Sequence, residues 1–147
     1  MISDHPYRAR ISPVPTGIER PLWSVMIPVY NCAHYLKMTL ESVLQQDIGP
    51  AQMQIEVIDD CSTDEPEKVI QELVTDRVTF YRQPQNVGHC RNFQTCFERS
   101  TGHLIHLLHG DDTVREGFYQ TLQQPFEKNS LLGMAFCRSI TMDEHNH

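Results

Sequence analysis

Three short polar clusters interrupt the apolar runs of this chain: Pro28-Val29-Tyr30-Asn31, Asp59-Asp60-Cys61-Ser62-Thr63-Asp64 and His109-Gly110-Asp111-Asp112. Carboxylates accept hydrogen bonds, hydroxyls do both, and a tyrosine offers an aromatic face. Gathered in one place, such groups would make a small-molecule site. Any one cluster alone is also what turns and helix caps require. The reading therefore depends on whether the fold brings the three together.

The elements between them suggest that it does. Leu22 to Val29 reads as a strand, and Ala33 to Gln46 places Leu36, Leu40, Val43 and Leu44 at helical spacing. Gln54 to Ile58 reads as a buried strand and Glu67 to Val74 as an amphipathic helix, with Thr63 or Asp64 as its cap and Pro66 in its first turn. Val78 to Tyr81 is a third strand, leading through Asn86-Val87-Gly88 into a helix near Cys90 to Glu98. His103 to Leu108 is a fourth strand, Phe118 to Phe126 a helix, and Met134 to Ile140 a fifth strand. Strands alternating with helices imply a mostly parallel central sheet flanked by helices, joined by right-handed crossovers. All three clusters then follow strands on the carboxyl edge of the sheet, where ligands bind in open α/β folds.

The 147 residues suit one domain, residues 22–147, preceded by a proline-containing leader at 1–21. A net charge of −7 argues against a nucleic-acid partner, which would need clustered Lys and Arg. No run approaches a membrane span and the N-terminus lacks an apolar signal, so the expectation is a cytoplasmic protein that is not an integral membrane protein. The five cysteines are odd in number and form no C-x-x-C pair, which points to reduced thiols. His103, His106 and His109 recur every third residue, but on a strand His106 faces away from the other two, which disfavours zinc.

With these residues in place, the sequence resembles the family 2 glycosyltransferases, which have the Rossmann-like GT-A fold. The resemblance rests on Ser24 to Asn31 (SVMIPVYN), Val57 to Asp64 (VIDDCSTD), Asn86 to Asn92 (NVGHCRN) and Leu108 to Asp112 (LHGDD), in that family's order and approximate spacing, and covers roughly Trp23 to Phe126. It implies a nucleotide-sugar donor site built from Pro28, Tyr30, Asp60, Arg91 and Asp111. The acceptor-only carboxylate of Asp60 suits the N3–H of uracil or thymine, which cytosine lacks, while guanine also offers N–H groups. Tyr30 either lends its face to the nucleoside or packs on the first helix. Arg91 either serves phosphate or an aspartate, or makes a surface ion pair. Asp111 and Asp112 match the acidic motif by which the family holds a divalent cation; Mg²⁺ or Mn²⁺ suits hard oxygen ligands and lets carboxylates lie beside phosphates. His109 stands where many members carry a further Asp.

The resemblance further implies inverting transfer to a sugar, lipid or protein acceptor, in polysaccharide or glycolipid assembly. The base that activates such an acceptor normally lies beyond the fifth strand, and Asp143 and Glu144 are candidates only by default. The chain is therefore expected to be a truncated fold with an incomplete acceptor half. Two other readings compete. One is a binding module of the same fold that lacks transfer activity. The other is a dinucleotide-dependent oxidoreductase, which should carry G-x-G-x-x-G after the first strand, whereas Tyr30 to His34 contains no glycine.

Overall fold

A computed structural model describes residues 16–73 and 75–141. The leader up to Pro15, Val74 and the residues from Met142 on, including Asp143 and Glu144, lie outside the described residues. The chain divides into a unit ending at Val114 and a second beginning at Arg115.

The first unit is a four-stranded parallel sheet: β1 (Trp23–Val29), β2 (Met53–Asp59), β3 (Val78–Arg82) and β4 (Leu104–Leu107), in the order β3-β2-β1-β4. Helices α1 (Ala33–Leu44), α2 (Pro66–Glu72) and α3 (His89–Arg99) alternate with them. The first two crossovers step in one direction across the sheet and the third returns past β1. Right-handed crossovers then place α1 and α2 on one face and α3 on the other. In agreement, α1 lies against α2, while α3 crosses β1, β2 and β4.

Every residue of β1 is buried, as both-face cover demands. Met26, Ile58 and Cys96 pack together under α3, with Tyr81, Ile105 and Leu107 around them. The alternate residues Val25, Ile27 and Val57, also fully buried, turn to the opposite face. Of the helical stripe read from sequence on α1, Leu44, its last member, is half-buried, while Leu36, Leu40 and Val43 are fully buried. Each such side chain contributes about 1.5–3 kcal/mol. Glu56, 3% exposed in the middle of β2, is tolerated because Arg99 bonds it through Nε at 2.6 Å and Gln54 Nε2 donates to it at 3.0 Å.

The second unit contains α4 (Phe118–Lys128), which runs two residues past the expected end despite Pro125. The expected strand at 134–140 does not form: residues 131–141 have no regular structure, and Met134, Phe136 and Ile140 are exposed. Its alternating pattern suits a strand, but a strand also needs a hydrogen-bonded neighbour, and none of the described strands pairs with it. No helix among the described residues is long and apolar enough to cross a membrane.

Candidate functional site

The strand order reverses at β1, so the tips of β1, β2 and β4 form the edge where an open α/β sheet binds ligands. Pro28 near the tip of β1 is buried, and its position follows from the ladder. Leu104 and Leu108 donate to Leu22 and Met26, so even-numbered β1 residues bond towards β4. The regular β1–β4 pairing ends at Met26–Leu107, and the N–H that proline lacks would have pointed beyond it. The Pro28 carbonyl still receives the Gly110 N–H at 3.3 Å, which brings the β4 loop against β1. Tyr30, next along, is 53% exposed, so it is not packed away on α1.

The loop after β2 folds back onto the loop after β1. Asn31 N donates to Ser62 Oγ at 2.9 Å, and Thr63 N donates to Asn31 Oδ1 at 2.8 Å. Ala33 N donates to Asp64 Oδ2 at 2.7 Å. This corrects the capping expectation: Asp64 caps α1, and Thr63 serves Asn31. The residue before α2 is Glu65, in the left-handed region with no side-chain cap. Asn31 (φ 52°), Cys61 (φ 62°) and Glu65 (φ 59°) are all left-handed without being glycine, a conformation the surrounding bonds must hold.

The two aspartates at the β2 tip do different work. Asp59, fully buried, accepts from Ser62 N at 3.0 Å and from the Ser62 hydroxyl, and its other oxygen accepts from Arg82 Nη1 at 2.7 Å. Arg82 Nη2 also donates to the Ser62 carbonyl at 2.8 Å. Sequence reasoning missed Arg82, whose one signal is a cation ending a strand beside an acidic loop. Asp60, 2% exposed, accepts from Val87 N at 2.7 Å and Gly88 N at 2.9 Å, one per oxygen. Gly88 itself has φ 83°, which glycine adopts freely. One turn on, Asn92 Nδ2 donates to the Ile58 carbonyl at 2.9 Å. Asp60 and Asn92 therefore fasten the start of α3 to the β2 tip. Arg91, between these anchors, is exposed.

The β4 loop is equally fixed. A Cβ on Gly110 would lie 2.6 Å from Val29 Cγ1 and 2.9 Å from Cys32 Sγ, so only glycine passes there. Thr39 donates to the Gly110 carbonyl at 3.0 Å and Val114 N to Ser42 Oγ at 3.1 Å, which tie the loop to α1. Asp111 and Asp112 lie between these ties and are exposed. The Cys32 thiol registers the convergence of acidic loops. Burial raises its pKa most, and the charges of Asp111, Asp64 and Asp59 raise it further. Among the described residues no three His, Cys, Asp or Glu side chains form a metal-binding group. Two exposed carboxylates fit the other common arrangement, in which one or two protein carboxylates hold Mg²⁺ together with substrate phosphates. His109 is set edge-on to Phe93 of α3, ring centroids 5.3 Å apart.

The chain belongs to glycosyl transferase family 2, whose model matches residues 24–146. It is 35% identical over 126 residues to an uncharacterised protein of Mycobacterium tuberculosis, covering 85% of this chain and 39% of that protein. Its fold is similar to that of TarS 1-349 from S. aureus, solved in complex with UDP, with a TM-score of 0.67 and 19% identity over 80% of this chain and 38% of that one. It is also similar to the mannosyltransferase PcManGT from Pyrobaculum calidifontis in complex with GDP-Man and Mn²⁺, with a TM-score of 0.57 and 24% identity, covering 72% and 31% of the two chains. The chain spans about two fifths of the length of the curated relatives first matched.

Proposed function

We propose that this chain forms the donor-binding part of a glycosyltransferase that moves a sugar, with inversion, from a nucleoside diphosphate, UDP or dTDP, to an acceptor. The observation that carries this reading is the joining of three acidic or aromatic loops at one sheet edge through directional hydrogen bonds, with Tyr30, Asp111 and Asp112 left exposed between the anchors. TarS was solved with UDP, which supports a uridine donor.

Asp60 holds two backbone N–H groups and keeps a second lone pair on each oxygen, which is acceptor capacity for one further N–H. That N–H is the base N3–H, and Tyr30 supplies an aromatic surface beside it, on a loop shaped by Pro28. Arg91 directs its guanidinium to the diphosphate. Asp111 and Asp112 are the residues to hold Mg²⁺ or Mn²⁺, which when bound offsets the charge of the departing nucleoside diphosphate. Gly110 positions that carboxylate pair by passing under Val29 and Cys32. Activation of the acceptor is assigned to no described residue.

Thermal unfolding with UDP, dTDP, GDP and CDP, each with and without Mn²⁺, tests this. Ligand at about 100 times its dissociation constant adds about 2.7 kcal/mol. A manganese-dependent rise in Tm with UDP or dTDP, absent in Asp111→Asn and Asp112→Asn, is expected. Equal shifts in the variants would remove the metal assignment, and no shift with any nucleotide would remove the donor site.

A further inference from the structure

Behind the β2 loop, on the side away from β4, a cavity of about 620 Å³ opens between α2 and the tip of β3. It is lined by Glu65, Glu67, Lys68 and Gln71 from the α2 side, with Arg82 of β3 and Ser62 and Thr63 of the β2 loop. We propose that this groove is a subsite for a neutral saccharide, serving the acceptor glycan; the assignment to an acceptor, though not the binding itself, rests on the transfer function proposed above.

The lining determines the ligand class. It carries no aromatic side chain, so a nucleobase would find no ring to stack on; its apolar surface is the stems of long polar residues such as Lys68 and Arg82. Its formal charges cancel, with Glu65 and Glu67 against Lys68 and Arg82. Arg82 is further committed to Asp59 and Ser62, and Lys68 Nζ lies 2.6 Å from Glu65. A phosphate would meet two carboxylates and no uncommitted cation. A polyol meets what it needs: the carboxylate of Glu67 accepts, the amide of Gln71 does both, and Arg82 Nε–H is left to donate by the recorded bonds. Glu67 and Gln71 are four residues apart on α2 and so share one helical face, with Cβ atoms about 5–6 Å apart, a span that reaches hydroxyls on different parts of a sugar. The volume lies in the range of ordinary small-ligand sites and exceeds a single sugar ring. The same Arg82 grips the loop that carries Asp60, so the groove and the proposed donor site are two sides of one loop.

The test is a backbone-amide NMR titration of the whole chain with maltose, cellobiose, lactose and N,N′-diacetylchitobiose, with inorganic phosphate and glycerol as controls and UDP in a separate series. At least one disaccharide is expected to shift the amides of Glu67 to Gln71 and Arg82 saturably, with a dissociation constant on the order of 1–10 mM. Glu67→Ala combined with Gln71→Ala, both compatible with a helix, is expected to weaken this at least about tenfold while UDP-induced shifts persist. The proposal is overturned if no disaccharide moves those amides saturably, if phosphate or glycerol moves the same set equally, or if the double variant titrates as the parent does. UDP shifts near Tyr30 and Asp60 are read separately, so failure of the donor site and failure of the groove are distinct results.

Discussion

Replacing Asp60 by Asn keeps the shape of the side chain and removes only its charge and half of its acceptor capacity. In the native structure the two carboxylate oxygens of this residue, 2% exposed, receive the Val87 and Gly88 N–H groups at 2.7 and 2.9 Å. Hydrogen bonds to a charged acceptor contribute about 1.5–3 kcal/mol each, and an unsatisfied buried donor costs about 1–3 kcal/mol. The amide can accept through Oδ1 alone, so one bond becomes a neutral one and the other becomes an N–H facing an NH₂. The expected loss is about 2–4 kcal/mol, or roughly 6–12 °C in Tm at about 3 °C per kcal/mol for a chain of this size. Calorimetry gives the magnitude, and hydrogen exchange gives the location: protection should fall first at Val87 and Gly88 and at the start of α3. UDP affinity should fall in the same variant. A Tm within about 1 °C of the parent, with Val87 and Gly88 still protected, would refute the claim that Asp60 fastens this loop.

Gly110→Ala must displace Val29 or Cys32, at an overpacking cost of about 1–3 kcal/mol, and should weaken manganese-dependent nucleotide binding by moving Asp111; Val29→Ala in the same chain should recover part of the Tm. Burial holds His106 down at about 4 against an ordinary 6.5. Between these values the unfolded chain binds a proton that the folded chain refuses, so stability is full above pH 6.5 and declines towards pH 4, by at most about 3 kcal/mol. Urea titrations of the parent and His106→Gln across this window should show the decline shrinking in the variant.

The alternation of strands and helices was legible because each apolar run is both long and punctuated. β1 is buried on two faces and reads as a continuous run, and Leu36, Leu40 and Val43 mark the inward stripe of α1. What the sequence concealed is non-local. Asp64 stands two residues before Pro66 and looks like a cap for α2, yet it closes α1, which begins 31 residues earlier, because the loop reverses through left-handed Cys61. Glu56 in a buried strand looks misplaced until Arg99 arrives from 43 residues away. Arg82 has no motif around it. Met134 to Ile140 shows the opposite failure: its pattern fits a strand, but a periodicity cannot supply the neighbouring edge.

The side-by-side aspartates of the β2 tip explain how a chain with no glycine-rich phosphate loop after β1 can still order this edge. Successive residues of a strand point to opposite faces. Asp59 therefore turns to the α1–α2 side, where it gathers Ser62 and Arg82 and with them the clasp that caps α1. Asp60 turns to the α3 side, where it draws in Val87 and Gly88. One dipeptide thus holds loops on both faces of the sheet to a single strand end. Neither role can pass to its neighbour, because exchanging their positions would exchange their faces. The β4 loop joins the same edge by a different device, the absence of a side chain at Gly110, which lets Asp111 and Asp112 approach a β1 tip that Val29 and Cys32 already fill. Exposed Tyr30 and the exposed carboxylate pair are thus carried on loops that hydrogen bonds and close packing tie to the sheet, which is the support the proposed donor site calls for.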